Sequence, residues 1–190
     1  MPDPAIPVID VRSPSEFEGG HIPGAINLPL FNNQERADVG TIYKQDSPFK
    51  AYVKGLEYVG PKMANFVLQA KNIARQNKIA VYCWRGGQRS NSMGWLLGNA
   101  GFEVTVLPGG YKAYRNHIHD FFAQKINIQI VGGETGSGKT DILKHLADAG
   151  DQVIDLEAIA NHRGSSFGAL GLPAQPSVEQ FENNLHQALC

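Results

Sequence analysis

The sequence predicts an α/β protein with a mainly parallel sheet and helices on both faces. Through residues 1–124, short apolar segments alternate with amphipathic ones, as in strands connected by crossover helices. A further apolar segment, a glycine-rich loop and an amphipathic segment follow. We therefore predict an α/β domain over residues 1–124 and the N-terminal part of a second, incomplete α/β domain over residues 125–190.

The first domain begins with a buried strand that ends in two charged residues. Asp10 and Arg12 are expected to hold neighbouring loops by hydrogen bonds rather than to act in catalysis. The predicted strands lie at 6–11, at the end of 21–29, at 79–82 and at 102–107. The predicted helices lie at 13–18, at 63–76, from residue 90 onward, and at 111–122.

Residues 32–62 carry no sustained periodicity and are long for a connection within a compact domain, which predicts an insertion or a functional loop. A partly helical packing segment is the alternative. Lys44, Lys50 and Lys54 alternate with aromatic residues, a composition that could contact single-stranded nucleic acid.

The most informative segment is 81–90, V-Y-C-W-R-G-G-Q-R-S. A strand leads to Cys83, and two adjacent glycines permit the tight loop that a ring of inward-facing amides requires. Ser90 is expected to cap a helix whose positive end faces the sulfur, and Arg85 and Arg89 add two positive charges. We predict Cys83 as a catalytic thiolate with Arg85 and Arg89 beside it; the alternative is a small buried hydrophobic residue.

Residues 133–140, G-E-T-G-S-G-K-T, match the phosphate-binding pattern G-x-x-x-x-G-K-[ST], with a predicted strand at 126–131 before them and a helix after them. Backbone N–H groups would surround the phosphates, Lys139 would contact the outer ones, and Thr140 would bind Mg²⁺ if a metal is used. The predicted phosphate-binding residues are Gly133, Gly136, Ser137, Gly138, Lys139 and Thr140. The motif predicts a polyphosphate without identifying it.

The remaining chain continues this second domain. A strand is predicted at 152–156, a polar loop at 161–168 and a helix at 177–189. The candidate substrate-binding residues are Asp155, His162 and Arg163. Because two strands cannot close the core of such a domain, we expect the chain to be a fragment.

Composition narrows the class of protein. Hydrophobic residues make up 42% and charged residues 18% of the chain, as in globular proteins. Cys83 and Cys190 provide neither a disulfide framework nor a metal-ligand spacing, so we expect a reducing compartment and no metal site.

With neither a signal peptide nor a membrane-spanning segment, we expect a cytoplasmic protein without a membrane partner. The net charge of −1 does not favour nucleic acid.

Three sequence blocks resemble a rhodanese domain. They are D-V-R-S-P-S-E-F-E-G-G-H-I-P-G-A-I-N-L-P, the Cys83 loop and L-P-G-G-Y-K-A-Y-R. The resemblance implies a cysteine that takes up sulfur or selenium as a persulfide-type adduct. However, the five residues between Cys83 and Arg89 match the spacing of cysteine-dependent phosphatases, which usually have His where this chain has Tyr82.

A rhodanese-like domain followed by a phosphate-binding loop, with N-N-Q-E-R-A-D-V-G-T-I-Y-K-Q and D-L-E-A-I-A-N-H-R-G-S-S-F-G, resembles the bacterial tRNA 2-selenouridine synthase family. The resemblance implies a transferase that replaces sulfur by selenium at a wobble 2-thiouridine, through a geranylated intermediate. Cys83 would carry selenium from selenophosphate, and the phosphate-binding loop would hold geranyl diphosphate or a nucleotide. No tightly bound cofactor is implied. The implied partners are tRNA carrying wobble 2-thiouridine and a selenophosphate-supplying enzyme.

Three alternatives stay open. A rhodanese-type sulfurtransferase would pass on sulfur instead of selenium. A phosphatase would use Cys83 as nucleophile and Arg89 as phosphate clamp, and would leave the second motif unexplained. A non-catalytic module would bind anions and nucleotide, and would keep its function after Cys83→Ser.

Overall fold

In this computed structural model, residues 6–134, 136–163 and 168–190 are described. Within them lie the strands β1 (Val8–Asp10), β2 (Ile26–Asn27), β3 (Lys78–Tyr82) and β4 (Glu103–Val106). These short parallel strands form one sheet in the order β2-β1-β3-β4. Ile9 of β1 lies opposite Ile26 on one side and Val81 on the other. The predicted mainly parallel sheet is confirmed.

Helices connect the strands, and outside residues 32–62 they overlap the predicted helices. They are α1 (Pro14–Gly19), α2 (Asn33–Gln45), α3 (Pro48–Val59), α4 (Met63–Ile73), α5 (Gln88–Asn99) and α6 (Gly110–Phe122). A short 3₁₀ turn, Gly60–Lys62, joins α3 to α4. The core lies around the sheet, where Ile9, Val11, Ile79, Val81, Met93 and Leu97 are fully buried.

The segment predicted as an insertion or a functional loop, 32–62, is largely helical, in agreement with the alternative of a partly helical packing segment. Asn32 caps α2 and Ser47 caps α3, each by accepting a backbone hydrogen bond three residues on. The buried residues of α3 are Ala51 and Gly55. Helix α2, in contrast, contains no buried residue, so the first half of the segment carries little hydrophobic periodicity.

Asp10 and Arg12 are buried and bind each other, which supports the predicted structural role. The Arg12 guanidinium donates to the Asp10 carboxylate at 2.6 Å and to the Gly20 carbonyl oxygen at 2.7 Å. It also lies 3.9 Å from the ring centroid of Tyr111. The pair therefore ties the end of β1 to the residue that follows α1.

The chain divides into two compact units, Met1–Asn116 and His117–Cys190. The predicted boundary between residues 124 and 125 stays a prediction. Beyond α6, the second unit contains α7 (Lys139–Asp148), α8 (Leu156–Ala160) and α9 (Val178–Leu189). Helices α7 and α9 agree with the sequence prediction. Among the described residues, no helix has the length and apolar character needed to cross a bilayer.

The strands predicted at 126–131 and 152–156 do not form. Ile128 and Ile130 are 65% and 85% exposed, and neither segment pairs with another strand of the described chain. A parallel strand requires a hydrogen-bonded neighbour, so an apolar segment without one remains irregular. At the second segment, Asp155 instead caps α8.

Candidate active site and phosphate-binding loop

Cys83 lies directly after β3, at the carboxyl end of a central strand of the sheet, where parallel sheets place their ligands. A tight loop follows, and α5 begins at Gln88 with Gly87 as its N-cap. Ser90 is therefore the third residue of the helix, and its predicted role as N-cap is wrong. The helix begins earlier because Gly87 provides the cap.

The Cys83 sulfur is surrounded by hydrogen-bond donors. The Ser90 hydroxyl lies 3.2 Å from Sγ and 3.1 Å from the Gly87 carbonyl oxygen, so its single proton can serve either acceptor. Backbone N–H groups of Ser90, Arg85 and Gly87 also point at the sulfur. Burial raises the pKa of the Cys83 thiol, but these hydrogen bonds outweigh it and hold the pKa below its ordinary value.

The N-terminal end of α6 holds the cysteine loop from outside. The N–H of Tyr111 donates to the Cys83 carbonyl oxygen at 2.9 Å, and that of Lys112 donates to the Trp84 carbonyl oxygen at 2.9 Å. A Cβ atom at Gly110 would lie only 2.2 Å from the Cys83 carbonyl oxygen. The sequence does not single out Gly110 as a site residue, although it lies in the third block that resembles a rhodanese domain.

Arg89 binds a residue that the sequence does not single out. Its guanidinium donates to both carboxylate oxygens of Glu16, at 2.6 and 3.1 Å. Glu16 also accepts hydrogen bonds from the backbone N–H and the hydroxyl of Ser13. Burial raises the pKa of Glu16, but the bonds from Arg89 outweigh it and bring the pKa to about 2. The Arg85 side chain is exposed.

Tyr82 stands where cysteine-dependent phosphatases usually have His. It is fully buried, and its hydroxyl accepts a hydrogen bond from the backbone N–H of Ile22 at 3.2 Å. Burial and the neighbouring Asp10 raise the pKa of Tyr82 far above its ordinary value. Tyr82 is therefore neutral and packs beside the loop as a structural residue.

The predicted phosphate-binding loop leads directly into α7. Gly136 and Gly138 have φ of 81° and 80°, values that favour glycine, and Gly138 is the N-cap of the helix. The Lys139 ammonium donates to the carbonyl oxygens of Gly133 and Glu134 at 2.9 and 2.8 Å. Loop and helix thus stand in the order that phosphate binding requires, without the predicted strand. Residue 135 lies outside the described residues.

The three candidate substrate-binding residues follow α7. The Asp155 carboxylate caps α8 by accepting from the Ala158 N–H at 3.0 Å, which gives it a structural role. The backbone N–H groups of His162 and Arg163 donate to the Glu157 and Gly168 carbonyl oxygens. Residues 164–167 of the predicted polar loop lie outside the described residues. Substrate binding by Asp155, His162 and Arg163 stays a prediction.

The described residues contain no candidate metal centre. They contain no group of three or more His, Cys, Asp or Glu side chains that could hold a metal ion. Thr140 remains the residue that would contact Mg²⁺ at the phosphate-binding loop.

Comparison with known families assigns both parts of the chain. Residues 1–117 match the rhodanese-like domain family. Residues 126–190 match a family described as the tRNA 2-selenouridine synthase AAA domain. Among solved structures, this chain is similar to the crystal structure of the N-terminal domain of a Clostridium difficile 630 protein described as ATP/GTP binding. The two are 44% identical in sequence, and their TM-score is 0.57. The match covers 60% of this chain and 89% of that one.

Curated relatives match nearly the whole chain. A tRNA 2-selenouridine synthase from Bdellovibrio bacteriovorus is 47% identical over 186 residues, which cover 95% of this chain and 48% of the relative. One from Nitrosomonas europaea is 41% identical over 184 residues, which cover 94% of this chain and 47% of the relative. The chain therefore spans about half the length of the curated relatives it matches.

Proposed function

This chain belongs to the rhodanese-like family and is homologous to tRNA 2-selenouridine synthases over about half of their length, and on that premise we propose that it acts in tRNA selenation. The reaction is the replacement of sulfur by selenium in the wobble 2-thiouridine of a tRNA, in the cytoplasm. The observation that supports this function is the Cys83 sulfur, which lies among N–H donors that lower its pKa. An ionised, polarisable sulfur is a good nucleophile toward a soft atom such as selenium.

Cys83 is the proposed selenium carrier, with selenophosphate as donor and a selenophosphate-supplying enzyme as partner. The thiolate attacks selenium, an S–Se bond forms, and the Se–P bond breaks with its electron pair leaving on phosphorus as phosphite. The loop amides and the arginines Arg85 and Arg89 stabilise the anion. The bound selenium then attacks C2 of the nucleobase, a thiolate leaves, and a second thiol reduces the remaining S–Se bond.

The phosphate-binding loop has a separate role in this proposal. Sulfur on the nucleobase is a poor leaving group until it is alkylated, and geranyl diphosphate is the proposed alkyl donor. Lys139, the loop N–H groups and the N-terminus of α7 would hold its diphosphate, with Mg²⁺ on Thr140 when the ion is present. A nucleotide is the alternative ligand, and direct competition between GTP and geranyl diphosphate distinguishes the two.

Intact-protein mass spectrometry tests the carrier role. The wild type, Cys83→Ser and Cys190→Ser are incubated with selenophosphate, and Cys190→Ser is the matched control because Cys190 is the other, exposed cysteine. We expect a gain of one selenium atom in the wild type and in Cys190→Ser only, reversed by a thiol reductant. An equal gain in Cys83→Ser, or no gain in any chain, contradicts the carrier role.

A phosphatase remains the second candidate, because five residues separate Cys83 from Arg89 and the Ser90 hydroxyl lies 3.2 Å from the sulfur. A serine at that position can stabilise a thiolate as it leaves phosphorus. This function predicts hydrolysis of an aryl phosphate that is lost in Cys83→Ser. Selenium uptake without aryl phosphate hydrolysis excludes it.

A further inference from the structure

An open cavity of about 810 Å³ lies beside the cysteine loop, within the first unit. Helices α2 and α3 supply most of its wall, and Glu16, Gln88 and Arg89 close another side. Arg89 is the last residue of the C-x₅-R segment that begins at Cys83. A ligand in this cavity therefore lies next to the loop that holds the nucleophile.

Most of the wall is apolar, which suits a hydrocarbon chain. The side chains that provide this surface include Leu30, Phe31, Val39, Leu56 and Val59. Tyr43 and Tyr52 also line the cavity and are 58% and 50% exposed, so their rings are available for stacking against a base. The volume falls within the range of roughly 300 to 1,000 Å³ that is typical of small-molecule sites.

The charged residues of the wall are mainly cationic. Arg36, Lys44 and Arg89 line the cavity together with a single carboxylate, Glu16. Nε of Arg36 is buried without a hydrogen-bond partner in the described structure, and the Glu16 carboxylate lies 3.7 Å away. The Arg36 side chain as a whole is 40% exposed, so the rest of its guanidinium can contact an anionic group in the cavity. The cavity thus combines a surface for an alkyl chain with positive charge for a phosphate.

We propose that this cavity binds the S-alkyl chain of an alkylated 2-thiouridine nucleotide, with the nucleotide phosphate near Arg36 and Lys44. The inference rests on the proposed function, in which Cys83 delivers selenium to the carbon that carries the alkylthio group. That group must then lie beside the Cys83 loop, where the cavity is. Geranyl diphosphate is assigned to the phosphate-binding loop and is not the occupant.

Calorimetric titration of the 190-residue chain without selenium tests the proposal. The probes are 2-thiouridine 5′-monophosphates with geranyl, five-carbon prenyl or methyl groups on sulfur. Each methylene that leaves water strengthens binding roughly fourfold, so we expect geranyl to bind roughly a hundredfold or more above prenyl. Ala37→Trp and Thr41→Trp, at exposed positions that line the cavity, should remove this preference.

Val53→Trp is the matched control, because Val53 is exposed on α3 and does not line the cavity. It should keep the chain-length preference of the wild type. A wild-type affinity that does not depend on chain length overturns the proposal, as does an unchanged preference in both cavity variants. The proposal is also overturned if Ala37→Trp and Thr41→Trp lose binding of geranyl diphosphate but keep binding of the S-alkylated nucleotide. Because no selenium is present, failure of the carrier role at Cys83 leaves this result intact.

Discussion

The guanidinium of Arg89 and the carboxylate of Glu16 form two hydrogen bonds, at 2.6 and 3.1 Å. Glu16 belongs to α1 and Arg89 to α5, so the pair joins the helix after β1 to the helix that follows the cysteine loop. An anion bound beside Cys83 must compete with Glu16 for Arg89. Glu16 therefore both positions Arg89 and moderates its affinity for anions.

This ion pair predicts acid destabilisation of the first unit. The pKa of Glu16 is lowered from 4.5 to about 2 on folding, so its stabilisation is complete above the unfolded-state value and is lost as the pH falls toward about 2. The free energy involved is about 3 kcal/mol at most. Urea unfolding between pH 7 and pH 2.5 should therefore show a shallower loss of stability for Glu16→Gln than for the wild type.

Glu18→Gln is the control, because Glu18 is an exposed carboxylate on the same helix. The stability of the Glu18→Gln chain should depend on pH in the same way as that of the wild type. Parallel stability curves for all three chains would show that the Glu16–Arg89 pair contributes nothing to the acid response.

The parts of the fold that the sequence predicts are those fixed by local pattern. Alternating apolar segments and turn glycines locate β1, β3, β4 and α6 because burial and backbone conformation act within each segment. The segment 126–131 has the same pattern but does not form a strand, since a strand also depends on a partner elsewhere. In α2, no residue is buried, so the sequence there has no apolar face that would reveal the helical period.

The candidate active site likewise has residues that a local sequence pattern identifies and residues that only the fold brings together. Cys83 and the glycines after it are recognisable because the loop is one continuous segment. Glu16 lies 73 residues from Arg89 in the sequence, so no local pattern connects them. Ser90 is the intermediate case: its type and position suggest a helix cap, and only the true start of α5 shows that its hydroxyl faces the sulfur.

Removal of the Ser90 hydroxyl should make Cys83 less reactive. Ser90→Ala takes away a hydrogen bond to the thiolate, so the pKa of Cys83 rises toward that of an ordinary thiol. Loss of a hydrogen bond to a charged group should raise the thiol pKa enough to slow alkylation at pH 7 by about tenfold. Rates of iodoacetamide alkylation against pH, measured in a Cys190→Ser background, report this change.

Asn91→Ala, an exposed substitution in the same helix, is the control and should keep the wild-type profile. If Ser90→Ala also keeps that profile, the loop amides alone account for the lowered pKa of Cys83.

Lys139 should be essential for polyphosphate binding. Its ammonium now binds the Gly133 and Glu134 carbonyl oxygens, and a phosphate would replace these neutral acceptors by charged ones. Lys139→Met should weaken binding of geranyl diphosphate by roughly tenfold to a hundredfold in a calorimetric titration. Lys144→Met, which removes an exposed lysine of the same helix, should have little effect. Equal losses in the two variants would indicate a nonspecific effect of charge.

Gly110 should be irreplaceable for the geometry of the cysteine loop. Its φ of 57° is strained for any other residue, and an added Cβ would lie 2.2 Å from the Cys83 carbonyl oxygen and 2.6 Å from the Gly86 nitrogen. Because both neighbours are backbone atoms, they cannot move without displacing the loop. Gly110→Ala should therefore lower the unfolding free energy by about 2 to 4 kcal/mol and slow Cys83 alkylation.

Gly98→Ala provides the matched comparison. Gly98 lies near the end of α5, and an added Cβ there has no atom within 4 Å. Alanine should raise the unfolding free energy by about 0.5 to 1 kcal/mol, since it loses less conformational freedom on folding than glycine. Urea unfolding and Cys83 alkylation, measured for both variants, separate the displacement of the cysteine loop at Gly110 from the general effect of replacing a glycine by alanine. A Gly110→Ala chain as stable and reactive as the wild type would mean that α6 does not constrain the sulfur.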